Sequence, residues 1–232
     1  NFLEKWLKNK VNTILKSLID LKNLKENNSS VKALAYRLYE NNGVIKREQV
    51  SEYLKNLGQN ERKTLRDLGV KFGRYHVFLH RLIKPEAVSL RTLLWQNYHQ
   101  KYFNLKPPTF GLNFIDDKNF KNQNFMLLCG FEKFDNFFVR IDILERLFVL
   151  IINSIDEKEK NKEIKMIPEM LNLLGCNKEN FKKIIKSMNY KVTEKNDALF
   201  FKYIQNKHNK KISSKKTIKE SPFGILKNLN LS

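Results

Sequence analysis

A helical apolar period that is repeatedly cut short by Asn and Gly constrains this chain more than any other feature. Over residues 2–25, Leu3, Trp6, Leu7, Val11, Ile14 and Leu18 recur at spacings of three and four, with lysines filling much of the remaining surface. That spacing predicts an amphipathic helix. Ser29 and Ser30 can cap a second helix carrying Val31, Leu34 and Leu38, which stops at Gly43. A third follows Arg47 and ends at Gly58, and Asn60 can cap a fourth that Gly69 closes. Helices this short cannot stand alone, so their apolar stripes must meet in one bundle.

The texture changes at Val70. The run 70–79 is rich in aromatic and β-branched residues with Gly73 in its middle, which predicts two extended pieces around a bend. Pro85 suits the first turn of a further helix reaching about Tyr102, and Pro107-Pro108 breaks it. Residues 104–124 are polar and aperiodic and read as a linker or long loop. Short apolar runs at 125–131 and 137–141 can pair as strands. Asp142 can cap a strongly apolar helix through Ile151.

From Pro168 the pattern sharpens. A short helix ends at Gly175, Asn177 can cap the helix 178–188, and two alternating runs, 190–192 and 199–203, flank a polar turn. Helix, tight turn, helix, hairpin is the order of a winged helix-turn-helix. The expected architecture is mainly α. It has a helical accessory domain over 1–103, a linker over 104–124, a winged-helix-like α+β domain with a small β-hairpin over 125–204, and a disordered basic tail over 205–232.

Charge narrows the partners. Lys and Arg number 44 against 24 Asp and Glu, a formal net charge of +20. An excess of this size opposes compaction and favours polyanions, with nucleic acid first and RNA ahead of DNA. No apolar stretch is long enough to span a bilayer, so no membrane partner is expected. The two cysteines, Cys129 and Cys176, sit in apolar surroundings, which suits a reducing cytoplasm better than a disulfide scaffold. The chain opens on Asn1 in helical period, as a segment cut from a longer polypeptide would.

Catalytic signatures are missing. There is no phosphate-binding loop, no nucleophile elbow and no zinc helix, so no catalytic or metal residue is assigned in this segment, and no cofactor is expected for it. His76 and His80 would need a further ligand, and both read as ordinary histidines.

Two basic regions carry the binding expectation. In the first, Arg62, Arg66, Lys71 and Arg74 surround Phe72 and Tyr75. Cations along phosphates and aromatic faces against bases are how single strands are held. The same residues also describe a core of Phe72, Val77, Phe78 and Leu79 with a solvated rim. In the second, Lys182, Lys183 and Lys186 lie off the apolar stripe of the second helix of the pair, and Lys191 extends the charge into the hairpin. Lysine there suits phosphate contact rather than base readout. Lysine is also this chain's commonest polar residue, so a plain solvated face fits equally. A third element, Phe223, Ile225 and Leu226, restores apolar character after a lysine-rich run and reads as a partner-docking motif.

Several stretches together resemble one group of proteins. LRDLGVKFGRYHVFL at 65–79, LIKP at 82–85, LRTLLW at 90–95, VRIDILERL at 139–147, PEMLNLLGCN at 168–177 and SPF at 221–223 are similar, in this order, to the C-terminal region of alphaproteobacterial superfamily-2 helicases related to the mitochondrial degradosome RNA helicase. The match departs at His80, where the family would carry Pro, and across 110–124. The resemblance implies upstream motor domains that bind and hydrolyse ATP with Mg. It implies for this segment a non-catalytic role, gripping or guiding the strand. The alternative is a protein-interaction module that docks a ribonucleoprotein or nuclease partner through the C-terminal tail.

Overall fold

The computed structural model describes residues 1–25, 28–116, 122–134, 136–155, 163–196 and 198–204. The tail 205–232, with Phe223, Ile225 and Leu226, lies outside the described residues. The fold is α+β, dominated by helices, with small three-stranded antiparallel sheets.

The opening amphipathic stretch forms two helices, α1 (Phe2–Ile14) and α2 (Lys16–Lys22), with a break at Leu15. The helix α3 (Ser29–Glu40) is capped by Asn28, whose side chain accepts from the Ser30 and Val31 amides, so the capping residue lies one place ahead of the expected serines. A strand that the periodicity does not announce comes next, β1 (Val44–Lys46). Then come a single 3-10 turn (Arg47–Val50), α4 (Ser51–Lys55) and α5 (Gln59–Asp67). Gly58 takes the cap position of α5, and Asn60 lies within its first turn. The expected bend is present as the hairpin β2 (Val70–Phe72) and β3 (His76–Leu79). The sheet order is β1-β3-β2.

The pattern then recurs. The helix α6 (Pro85–Tyr98) leads to β4 (Phe114–Asp116), α7 (Gln123–Leu128), β5 (Phe131–Phe134) and β6 (Phe137–Arg140). Again the first strand pairs with the last, in the order β4-β6-β5. Two expectations change here. Residues 114–116, expected within a linker, form an edge strand. Residues 125–128, expected within a strand over 125–131, form a helix together with 123–124 of the expected linker, because Phe125, Met126 and Leu128 at this spacing are buried together on one face. α6 also packs with this group: Val88 and Trp95 join Phe125, Met126 and Phe138 in one core.

The third occurrence is the fullest. It runs α8 (Ile141–Asn153), β7 (Ile164–Lys165), α9 (Pro168–Leu174), α10 (Lys178–Ser187), β8 (Tyr190–Lys195) and β9 (Ala198–Tyr203), with sheet order β7-β9-β8. Gly175 and Asn177 act as expected, the first as a left-handed C-cap and the second accepting from the Asn180 amide. Asp142 is not the cap of α8. It lies in the first turn and pairs with Arg140 at 2.7 Å.

The described residues therefore carry three tandem repeats of helix, strand, helical segment and hairpin, the helical segment being a single helix in the middle repeat. Their hinge is the residue between the last helix and the hairpin. It has positive φ at Gly69, Gly130 and Asn189, a step of about sixty residues. Each repeat is centred on one apolar core, and the cores of the first and third also take residues of the middle one. Among the described residues no helix is long and apolar enough to cross a membrane.

Candidate nucleic-acid interface

The hairpin of the first repeat is anchored from behind. Its tip, Gly73 to His76, wraps the carboxylate of Glu145 on α8. The amides of Tyr75 and His76 donate to Glu145 Oε1 at 2.9 Å each, and the Arg74 amide donates to Oε2. A Cβ at Gly73 would fall on that carboxylate and push it off the tip amides, so the absence of a side chain here is what lets Glu145 reach them. Arg47 Nη1 donates to the Gly73 carbonyl at 2.8 Å and fixes the tip from the other side.

A buried polar bridge lies next to it. His76 is 2 % exposed and its Nε2 is 2.9 Å from Glu132 on β5. Lys46 on β1 donates to the other Glu132 oxygen at 2.8 Å. Burial alone would lower the His76 pKa, but the carboxylates of Glu132 and Glu145 outweigh it and raise the value above 6.5. Burial pushes Glu132 up, and His76 and Lys46 together hold it below its ordinary 4.5. His76 is thus a joint between repeats. His80 is exposed, in the 3-10 turn just after β3.

Above this bridge opens a cleft of about 520 Å³, lined in part by Arg47, Arg74, Tyr75, Ser51 and Tyr203. The ring of Tyr75 meets Phe148 edge-on at 5.8 Å, and burial pushes its phenol pKa up.

The expected cations fall into two groups. On the first repeat, the guanidinium groups of Arg62 and Arg66 lie 5.7 and 5.8 Å from the centre of the Phe72 ring, and that of Arg74 lies 5.6 Å from Phe148. Arg62 also caps the end of α4, donating to the carbonyls of Leu54 and Leu57 at 2.6 and 3.2 Å. Arg66, Lys71 and Arg74 are exposed. Among the described residues none of these has a carboxylate within ion-pair distance. Partial burial, then the charges of Arg62 and Arg74, lower the pKa of Arg47. Glu145, at the hairpin tip, offsets part of this charge at Arg47.

The second group is different. Lys182 is held by Glu179 and Glu194, each at 2.7 Å, and Lys178 reaches Glu194 at 3.4 Å. The hairpin therefore neutralises part of the α10 lysine face. Lys183, Lys186 and Lys191 remain exposed. The apolar members of the aromatic-basic block, Val77, Phe78 and Leu79, are buried core, and Phe72 is half-buried beneath its arginines.

Burial raises both thiols, Cys129 to about 12 and Cys176 to about 11, so neither is a ready nucleophile. Among the described residues no cluster of three or more His, Cys, Asp or Glu is placed to hold a metal ion. Sequence reasoning overlooked Glu145, Glu132 and Arg47. The recurring helix–hinge–hairpin spacing was the available signal for Glu132, at the second residue after the middle hinge; Glu145, on α8 of the third repeat, has no such signal. No protein-family model, no curated protein and no solved structure matches this chain.

Proposed function

We propose that this chain is a non-catalytic nucleic-acid-binding region built from winged-helix-like repeats, with RNA ahead of DNA as its ligand. It serves an ATP-dependent helicase motor, and the motif resemblance of residues 65–95 and 139–177 supports that assignment. The order helix, strand, helix, helix, hairpin in the first and third repeats, with the first strand pairing the last, supports the winged-helix reading.

The observation that carries the binding proposal is the arginine face of the first repeat. Arg62 and Arg66 share the Phe72 ring, Arg62 and Arg74 both act on Arg47, and Lys71 is exposed on the other face of β2; among the described residues Arg66, Lys71 and Arg74 have no carboxylate within ion-pair distance. Cations left unneutralised beside aromatic rings suit a phosphate backbone.

The test is fluorescence anisotropy of a labelled single-stranded RNA at several salt concentrations. Binding should be strong at low salt and fall steeply as salt rises. Replacing Arg66, Lys71 and Arg74 together by Gln should make the slope of log K against log salt less negative by about 2, taking about 0.7 per phosphate contact. Absence of binding at low salt overturns the proposal.

A further inference from the structure

Each repeat turns one face of its sheet to its own helices and the other face outward. In the first repeat the outward face is covered by residues of the two later repeats. Val44 and Phe78 pack with Ile141 and against Leu127, while Lys46 and His76 bond Glu132. In the middle repeat, Phe137 and Val139 enter the core of the third repeat.

The third sheet breaks this pattern. Its register places Lys165, Phe200 and Thr193 in one row across β7, β9 and β8, and sets Lys191 opposite Lys202 in the next row. Lys165, Lys191 and Lys202 are exposed, and among the described residues none has a carboxylate within ion-pair distance. Lys195 lies over the half-buried Phe200 ring, 5.6 Å from its centre, and is itself paired with Glu163 at 2.7 Å, so among the described residues the free cations of this face are the other three.

Lys202 pairs with the second residue after its positive-φ hinge. Phe78 holds that position in the first sheet and Val139 in the middle one. An apolar docking residue has become a cation. Directly opposed side chains on antiparallel strands approach to about 5 Å, so Lys191 and Lys202 repel each other in the free chain. A face built to receive another apolar repeat would not carry that pair. Charge complementarity selects a polyanion.

We propose that this outward face binds single-stranded nucleic acid, with phosphates on Lys165, Lys191 and Lys202 and a base against Phe200. It is a second contact surface beside the arginine face, and it rests on the nucleic-acid reading given above. The chemistry is that of a stacking platform rimmed by cations.

The experiment uses the whole chain and a fluorescein-labelled oligouridine. Phe200→Leu keeps the bulk but removes the aromatic face, and should weaken binding about tenfold. The double variant Lys191→Gln with Lys202→Gln should make the salt slope less negative by about 1.4. It should also leave the melting temperature equal or higher, because a repulsion is removed. Unchanged affinity and slope in both variants overturn the platform. A fall in melting temperature together with binding overturns it too, since the lysines would then be supporting the fold. If the Arg66, Lys71 and Arg74 variant alone loses affinity, the platform fails and the binding proposal stands. If no variant matters, both fail.

Discussion

At the residue scale, the tip of the first hairpin shows how one glycine and one carboxylate depend on each other. At Gly73, Glu145 occupies the space a methyl group would need. Gly73→Ala should destabilise the fold by about 1–3 kcal/mol, the usual cost of overpacking a filled site, as measured by chemical denaturation. Affinity for RNA should drop only as far as the tip is displaced. His76 gives a pH signature. Its pKa in the fold is raised above 6.5, so its contribution is complete below that pH and is lost as pH rises through the folded value. Glu132 is held below 4.5, so its contribution is present above that pH and is lost as pH falls through the folded value. Stability from the bridge is therefore greatest between the two ordinary values, 4.5 and 6.5. Thermal melts of wild type and His76→Asn across pH should converge on the alkaline side. Curves that stay parallel there would rule out the imidazolium as the source.

At the scale of elements, α5 and α10 hold the same place in their repeats and carry different electrostatics. Lys182 is engaged by two carboxylates, whereas Arg66 has none among the described residues. Lys182→Gln should thus change RNA affinity less than Arg66→Gln does, measured side by side at low salt. The hinge residues make a second comparison. Asn189 has φ +65, a conformation that Asn tolerates and Ala does not. Asn189→Ala should cost about 1–2 kcal/mol, and Asn189→Gly should be near neutral, by denaturant midpoint.

Helices α3, α6, α9 and α10 and the hairpins β2–β3 and β8–β9 were legible in the sequence, because each has a local period bounded by Pro, Gly or Asn. The strands β1, β4 and β7 were not. They span two or three residues, too few for an alternation to register, and they exist only because a distant partner strand supplies their hydrogen bonds. The helix α7 was misread for a related reason: one turn and a half of Phe, Met and Leu has the same composition as a buried strand. Of the candidate site, the charges were legible and their pairing was not. Neutralisation of Lys182 by Glu194 depends on the hairpin folding back over α10.

At the scale of the molecule, the charge of +20 has an uneven distribution. The first repeat concentrates unpaired arginine beside rings. The third commits part of its lysine to internal pairs and shows the rest on α10 and on its outward sheet. Tandem repeats that touch only their neighbours unfold as a series of nearly independent units. Here Glu145, from the third repeat, is gripped by the hairpin tip of the first, and Tyr75 meets Phe148 across the same junction. That contact skips the middle unit and ties the ends of the row together. A linear array becomes a ring of mutual dependence, in which no repeat can melt without exposing the other two. Calorimetry should record one transition for the native chain, and Glu145→Ala should broaden it or divide it into two.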